Sequence, residues 1–168
     1  MDKQEFFLLI PAIIYGVAIV DLMKIFQHKK NYWEVVLWGV YLFVIIIFMW
    51  TEIYEKLNAF TADIKSFFLI IIQAILYSQA VKVITPEEKD VNTEQYFLEN
   101  RRKFFLITAA IVVMNVVVQL LVFDDHRASW VRPTALVMVL LCAFYDNKWL
   151  RTSIWAFFTL VSVIIIFF

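Results

Sequence analysis

A single polar run at residues 85–103 (TPEEKDVNTEQYFLENRRK) separates two blocks of nearly unbroken apolar sequence, and it constrains the fold more than any other feature. Three apolar segments precede this run and three follow it. A helix needs about 20 mainly apolar residues to cross a bilayer. The sequence therefore predicts an all-α integral membrane protein with six transmembrane helices. Residues 1–168 form one transmembrane domain, with halves 1–84 and 104–168 joined by the connector 85–103.

The composition indicates that the lipid bilayer is the solvent for most of the chain. The sequence is 63% hydrophobic, with 17 Phe and 6 Trp, whereas soluble domains average about 45–50% apolar. A small soluble core has too little interior to bury that much apolar surface. The six predicted segments are residues 6–23, 33–50, 66–84, 104–123, 131–145 and 152–168. Because the last two are short, a re-entrant hairpin is the alternative to two full crossings.

The connector contains two patterns that are typical of helix starts. Thr85-Pro86-Glu87-Glu88 has a capping threonine, proline at the first helical position and acidic residues in the first turn. A weaker pattern begins at Thr93, with Tyr96 at the position where a capping box has Glu or Gln. From Thr93 the sequence allows one continuous helix into the fourth segment.

The distribution of Lys and Arg predicts the orientation. Five of the 15 basic residues fall on the side of the N-terminus, and ten fall on the side of the connector. The positive-inside rule then places the connector in the cytoplasm and both termini outside. The first residues (MDKQE) lack the positive region and cleavage site of a secretory signal. We therefore expect a multi-pass protein of a plasma (bacterial inner) membrane that keeps its first segment.

The two halves show a weak internal similarity. The motif FFL at residues 6–8 recurs at 104–106, and at the same offset of 98 Asp21 aligns with Gln119. Two tandem three-helix units have opposite orientations, because three is an odd number, and such inverted repeats are common in transporters. Chance alignment of apolar residues is the other interpretation.

Most enzyme signatures are missing from the sequence. Two glycines are too few for a phosphate-binding loop, and the single Cys142 allows no internal disulfide. The two histidines, His28 and His126, fall in loops on opposite faces of the predicted topology. Net charge is zero, which gives no sign of nucleic-acid binding. We therefore expect no enzyme activity, no metal and no cofactor.

Polar residues inside the apolar segments form helical stripes. A polar side chain in lipid normally faces protein or water, so these stripes predict a narrow polar path along the third, fourth and sixth helices. The predicted path residues are Gln73, Tyr77, Thr108, Asn115, Gln119, Thr159 and Ser162. The alternative is that they hydrogen-bond between helices as packing contacts, each contributing about 0.6 kcal/mol.

Two further groups of charged residues have alternative interpretations. Asp21 is a candidate ion-coupling site, or it forms an interfacial i,i+3 pair with Lys24. In the connector, a predicted contact for a cytoplasmic protein partner or anionic lipid consists of Tyr96, Phe97, Arg101, Arg102 and Lys103. The alternative is an acidic solvated loop followed by a positive-inside anchor.

These observations favour a small channel- or transporter-like membrane protein. Bulky apolar side chains dominate every segment, so we also expect a homo-oligomer. The alternative function is a membrane-anchored regulatory or scaffold subunit that binds a cytoplasmic partner through the connector. An intramembrane enzyme ranks third, because no set of reactive side chains converges at one depth.

Overall fold

The computed structural model describes residues 3–27, 31–55, 64–88, 91–123 and 131–167. Over these ranges the chain is helical and has no strand, which confirms the all-α prediction. A short 3-10 helix, Lys24–Gln27, continues the first helix. The six α-helices are α1 Lys3–Met23, α2 Trp33–Glu55, α3 Ile64–Ile84, α4 Thr93–Leu121, α5 Val131–Phe144 and α6 Lys148–Phe167.

Within the described ranges, four helical stretches are long and apolar enough to cross a membrane. They are Leu8–Gln27, Trp33–Thr51, Ile64–Ile84 and Thr93–Leu121. α5 has 14 residues and reaches only about 21 Å, which is short of a full crossing. Six crossings and the inverted repeat therefore stay predictions.

In the described part of the connector, a helix begins at Thr93. The Asn92 side chain caps α4 by accepting hydrogen bonds from the backbone N–H groups of Glu94 (3.1 Å) and Gln95 (3.3 Å). The prediction of a helix start at Thr85 is wrong, because residues 85–88 are not helical. Thr85 instead donates its backbone N–H to the Val81 carbonyl and so extends the end of α3.

Four of the helices pack closely in a row, and the other two pack against them more loosely. α1, α3, α4 and α5 follow one another side by side with close backbone approach, and we call them the four-helix row. α2 lies across α1, α3 and α4, while α6 packs against α2 and α5. α2 and α6, which we call the α2–α6 pair, approach each other about as closely as they approach the row, and less closely than the helices of the row approach one another.

Aromatic rings fill the space between the row and the pair. Trp38 of α2 is fully buried against two rings of α4, with centroid distances of 6.0 Å to Phe104 and 5.0 Å to Phe105. Within the α2–α6 pair, Tyr41 of α2 stacks on Phe158 of α6 at 5.7 Å. Edge-to-face and offset stacked rings at these distances are favourable beyond their buried area. The aromatic layer therefore holds the pair against the row.

α4 is longer than the apolar core of a bilayer. Its 29 residues span about 43 Å, against about 30 Å for the hydrocarbon region. The charged residues of α4 lie in its first three turns, at 94–103. The N-terminal part of α4 therefore extends beyond the apolar core, at the end of the bundle that we call the connector end.

Candidate functional site

A buried ion pair joins α2 to α6 at the connector end. The Arg151 guanidinium donates from Nε to Glu34 Oε2 at 2.6 Å and from Nη2 to Glu34 Oε1 at 3.0 Å. Both side chains are at most 2% exposed. Glu34 is in the first turn of α2, where the helix dipole favours a carboxylate. Two parallel hydrogen bonds between charged groups fix both the distance and the orientation of the two helices.

Two more charged residues extend this pair toward the surface. Arg151 Nη1 donates to Asp146 Oδ1 at 3.0 Å, and Arg101 Nη1 of α4 forms an ion pair with the same oxygen. The Asp146 side chain is 71% exposed, so one member of the network faces solvent. Glu34, Arg101, Asp146 and Arg151 are called the ion network below. Two acids balance two bases, and the network links α2, α4, α6 and the α5–α6 turn.

Tyr32 connects the ion network to the start of α4. Its hydroxyl donates to Glu34 Oε1 at 2.5 Å, and its backbone N–H donates to Thr93 Oγ1 at 2.8 Å. Burial raises the pKa of Tyr32 to about 12, and the neighbouring Glu34 carboxylate adds to the rise. Its phenol therefore stays protonated, and stays a donor, throughout the physiological range.

A second contact between α2 and α6 lies one turn further along α6. Trp155 Nε1 donates to the Leu37 carbonyl oxygen at 2.8 Å. Trp155 is four residues after Arg151, and Leu37 is three residues after Glu34, so both contacts lie on the same helix faces. The α2–α6 pair is therefore fixed at two successive levels.

Two of the predicted path residues lie together where α1, α2 and α3 meet. Gln73 and Tyr77 of α3 are both buried, and the Tyr77 ring contacts Tyr15 of α1 at 5.8 Å. Gln73 Nε2 donates to the Met49 sulfur at 3.5 Å, which is a weak hydrogen bond. Tyr15 Oη and Gln73 Oε1 are buried and have no hydrogen-bond partner in the part of the chain that the structure describes.

The other path residues lie elsewhere in the bundle. Thr108 is buried and donates its hydroxyl to the Phe104 carbonyl of its own helix at 2.9 Å. On α4, Gln119 is buried and Asn115 is half-buried. Thr159 is half-buried on α6, which packs against α2 and α5. The side chain of Ser162 lies outside the described part of α6. Among the described residues, Gln73 and Tyr77 lie together on α3, whereas Thr159 lies on α6, which packs mainly against α2 and α5.

The remaining predicted residues divide into buried and exposed positions. Asp21 forms the expected i,i+3 ion pair with Lys24, with Nζ–Oδ1 at 2.5 Å. In the connector, Phe97 is fully buried, and its ring lies 6.0 Å from the Tyr32 ring. Arg101 belongs to the ion network, and Tyr96 is half-buried. Lys103 and Arg102 are exposed. The Arg102 guanidinium lies over the Phe144 ring, 5.2 Å from its centroid.

The sequence analysis missed Glu34, Asp146, Arg151 and Tyr32. The sequence contains one indication of this ion pair. Glu34 and Arg151 are single opposite charges at the starts of the second and sixth helices, and the predicted topology places both on the connector side. A charge buried in the end of a helix requires a partner of opposite charge.

Comparisons with protein-family models, curated protein sequences and solved structures give no match to this chain.

Proposed function

We propose that this chain is a small transporter- or channel-like protein of a plasma membrane, with six membrane-spanning helices, a cytoplasmic connector and both termini outside. The observation that carries the proposal is the ion network, which joins the α2–α6 pair to the four-helix row at the connector end. In this proposal the network is a latch that closes the cytoplasmic side of the protein. We also propose that copies of this chain associate into a homo-oligomer.

The energetics of buried charge support a functional role for the latch. Apolar residues of similar volume often stabilise a protein as well as a buried ion pair does, so stability alone does not require Glu34 and Arg151. Asp146 faces solvent, so water and ions reach the network from the connector side.

The packing supports a movement of the α2–α6 pair. Close backbone packing holds the four-helix row together, whereas the pair contacts it through aromatic rings and the ion network. When the latch opens, α2 moves away from α3 and the weak Gln73–Met49 hydrogen bond breaks. The unpartnered Tyr15 hydroxyl and Gln73 carbonyl oxygen then bind the solute. These are one donor and one acceptor without charge, which fits a small neutral polar solute.

The direct test is solute flux in proteoliposomes. Gln73→Leu should reduce flux while leaving assembly intact, and the double change Asn115→Leu/Gln119→Leu tests the part of the path on α4. The combination Glu34→Leu/Arg151→Met removes the latch without leaving one charge buried alone, so it should increase basal leak. Gln95→Leu, at an exposed position on the first turns of α4, is the control and should behave as wild type. Liposomes that stay tight with folded wild-type protein, for ions and for neutral solutes, would refute the proposal.

The alternative, a membrane-anchored scaffold subunit, rests on a different observation. The first turns of α4 are held rigidly, because Asn92 caps the helix and buried Phe97 packs against Tyr32. This segment exposes the polar side chains of Glu94, Gln95, Glu99, Arg102 and Lys103. A rigid charged surface of this kind fits a soluble partner of complementary charge.

The scaffold alternative makes its own prediction. Arg101 belongs to the ion network, so the charge reversal that tests partner binding is Arg102→Glu with Lys103→Glu. A pull-down from membranes should lose the partner in this variant and keep it in Gln73→Leu. Unchanged capture in both variants would contradict docking at these basic residues.

A further inference from the structure

A pocket of about 250 Å³ opens at the connector end between the last turns of α1 and α3. The lining residues are Asp21, Lys24, Lys82, Thr85, Pro86 and Glu87. A water molecule occupies about 30 Å³, so the pocket holds something larger than one water. The apolar spans Leu8–Gln27 and Ile64–Ile84 both end beside it, which places the pocket at the level of lipid headgroups.

Thr85 indicates that the pocket binds a ligand. Its side chain is 5% exposed, and its hydroxyl oxygen has no hydrogen-bond partner among the described residues. A buried hydroxyl without a partner costs about 1–3 kcal/mol. The sequence around Thr85 resembles a helix cap, yet no helix begins there. Thr85 lines the pocket, and its buried hydroxyl is a polar group that the described residues leave unsatisfied.

The charges of the lining define the chemistry of that molecule. Two ammonium groups, from Lys24 and Lys82, and two carboxylates, from Asp21 and Glu87, give a lining of zero formal charge. The C-terminal ends of α1 and α3 add partial negative charge, which favours a cation nearby. A ligand with both an anionic and a cationic group matches this arrangement.

We propose that this pocket binds a phosphorylated primary amine of the phosphoethanolamine type, carried by a membrane lipid or free in solution. Lys82 and the Thr85 hydroxyl donate hydrogen bonds to the phosphate oxygens. The carboxylates of Asp21 and Glu87 accept hydrogen bonds from the ammonium group. This inference is independent of the proposed transport function, because it uses none of the residues of the ion network or the polar path.

The same chemistry predicts which headgroups the pocket rejects. A choline headgroup has the same charges, but its trimethylammonium group has no N–H to donate to Asp21 or Glu87. A glycerol headgroup has no cation, so it offers no ammonium group to Glu87 or to the Asp21 carboxylate, which Lys24 already contacts at 2.5 Å. The order of affinity should therefore be phosphatidylethanolamine above phosphatidylcholine and phosphatidylglycerol.

Binding of each lipid to the purified full-length protein is measured by native mass spectrometry from detergent micelles. Wild type should bind phosphatidylethanolamine saturably and at least about tenfold more tightly than the other two lipids. Thr85→Val keeps the side-chain volume and removes the hydroxyl, so it should weaken this binding about tenfold, as expected for one hydrogen bond to a charged group. Lys82→Met, at an exposed position, should weaken it by a similar factor without a folding defect.

Two matched controls and one competitor complete the experiment. Lys103→Met and Glu99→Gln change exposed charges at the same end of the bundle but outside the pocket, and both should bind as wild type. Free O-phosphoethanolamine that competes in wild type, but not in Lys82→Met, would assign the site to a soluble ligand. Lipid binding without such competition would assign it to the membrane lipid. Equal binding of all three lipids, or full binding by Thr85→Val and Lys82→Met, would overturn the proposal.

Discussion

Arg151 and Glu34 form two hydrogen bonds with each other although they are 117 residues apart in the sequence. The contact joins the start of the sixth helix to the start of the second. Both side chains are almost fully buried, so water contributes little to the compensation of either charge. The pair therefore determines how the C-terminal helix is positioned on the rest of the bundle.

Arg151→Met should be strongly destabilising. The substitution keeps much of the side-chain volume but leaves the Glu34 carboxylate buried without its cation. Breaking one side of a buried pair typically costs about 3–5 kcal/mol. Reversible unfolding in mixed micelles, followed by circular dichroism, measures the loss of free energy of unfolding.

Two further variants test this explanation. Glu34→Leu combined with Arg151→Met removes both charges and should recover most of the lost stability. Arg102→Met removes an exposed guanidinium nearby and should change stability by less than about 0.5 kcal/mol. A double variant that is less stable than Arg151→Met alone would show that the pair contributes more than mutual charge compensation.

Tyr32→Phe should destabilise the fold by about 1 kcal/mol, because it removes the hydroxyl that donates to Glu34 and leaves the ring in place. The contribution depends on pH. Since the folded-state pKa is raised to about 12 from the ordinary value of 10, the contribution is complete below pH 10. It is lost as the pH rises from 10 through 12.

Unfolding measured at pH 8 and at pH 11 checks this sign. The difference between wild type and Tyr32→Phe should be smaller at pH 11 than at pH 8. Tyr145→Phe, which changes an exposed tyrosine of the α5–α6 turn, should show no difference at pH 8. A gap between wild type and Tyr32→Phe that widens at pH 11 would contradict the hydrogen bond to Glu34.

Trp155→Phe should weaken the α2–α6 contact. The phenylalanine ring fills most of the space of the tryptophan ring. The N–H donor to the Leu37 carbonyl is lost, at a cost of about 1 kcal/mol. Trp149→Phe is the matched control, because Trp149 is 72% exposed. Proteolysis of the native protein reports local opening, and cleavage near α6 should accelerate in Trp155→Phe only.

The two glycines of the chain offer a matched pair of substitutions. A Cβ at Gly16 would meet nothing within 4 Å, whereas one at Gly39 would lie 3.0 Å from Ile25 Cδ1. Alanine is favoured over glycine in a helix by up to about 1 kcal/mol. Gly16→Ala should therefore stabilise the protein, and Gly39→Ala should gain less because Ile25 must shift. Thermal unfolding of the two variants side by side measures the difference, and a larger gain at Gly39 would contradict the packing of Ile25 on α2.

Local pattern was enough to predict much of the helical architecture. The runs of apolar residues predicted the four long helices, and the i,i+3 spacing predicted the Asp21–Lys24 pair. Continuity of α4 from Thr93 also followed from local sequence, because no residue between 94 and 121 interrupts a helix. These features depend on residues within one or two turns of each other.

The candidate site depends on contacts between distant parts of the chain, which periodicity does not report. The sequence predicts Arg101 as a contact for a partner or for lipid, and only the packing of α6 on α2 makes Arg151 a buried partner of Glu34. At Thr85 the local pattern predicts a feature that the structure does not have. Its neighbours match a helix-start pattern, but its backbone N–H binds the end of α3 instead.

The long separation between Glu34 and Arg151 also has a consequence for biosynthesis. At about 5–20 residues per second, the ribosome adds the 117 residues between them on the order of ten seconds after Glu34 is made. Throughout that interval the nascent second helix carries an acidic group without its basic partner. Chains that stop before residue 151 keep that defect permanently. An incomplete copy therefore differs from a finished one by an acidic group on α2 that has no basic partner.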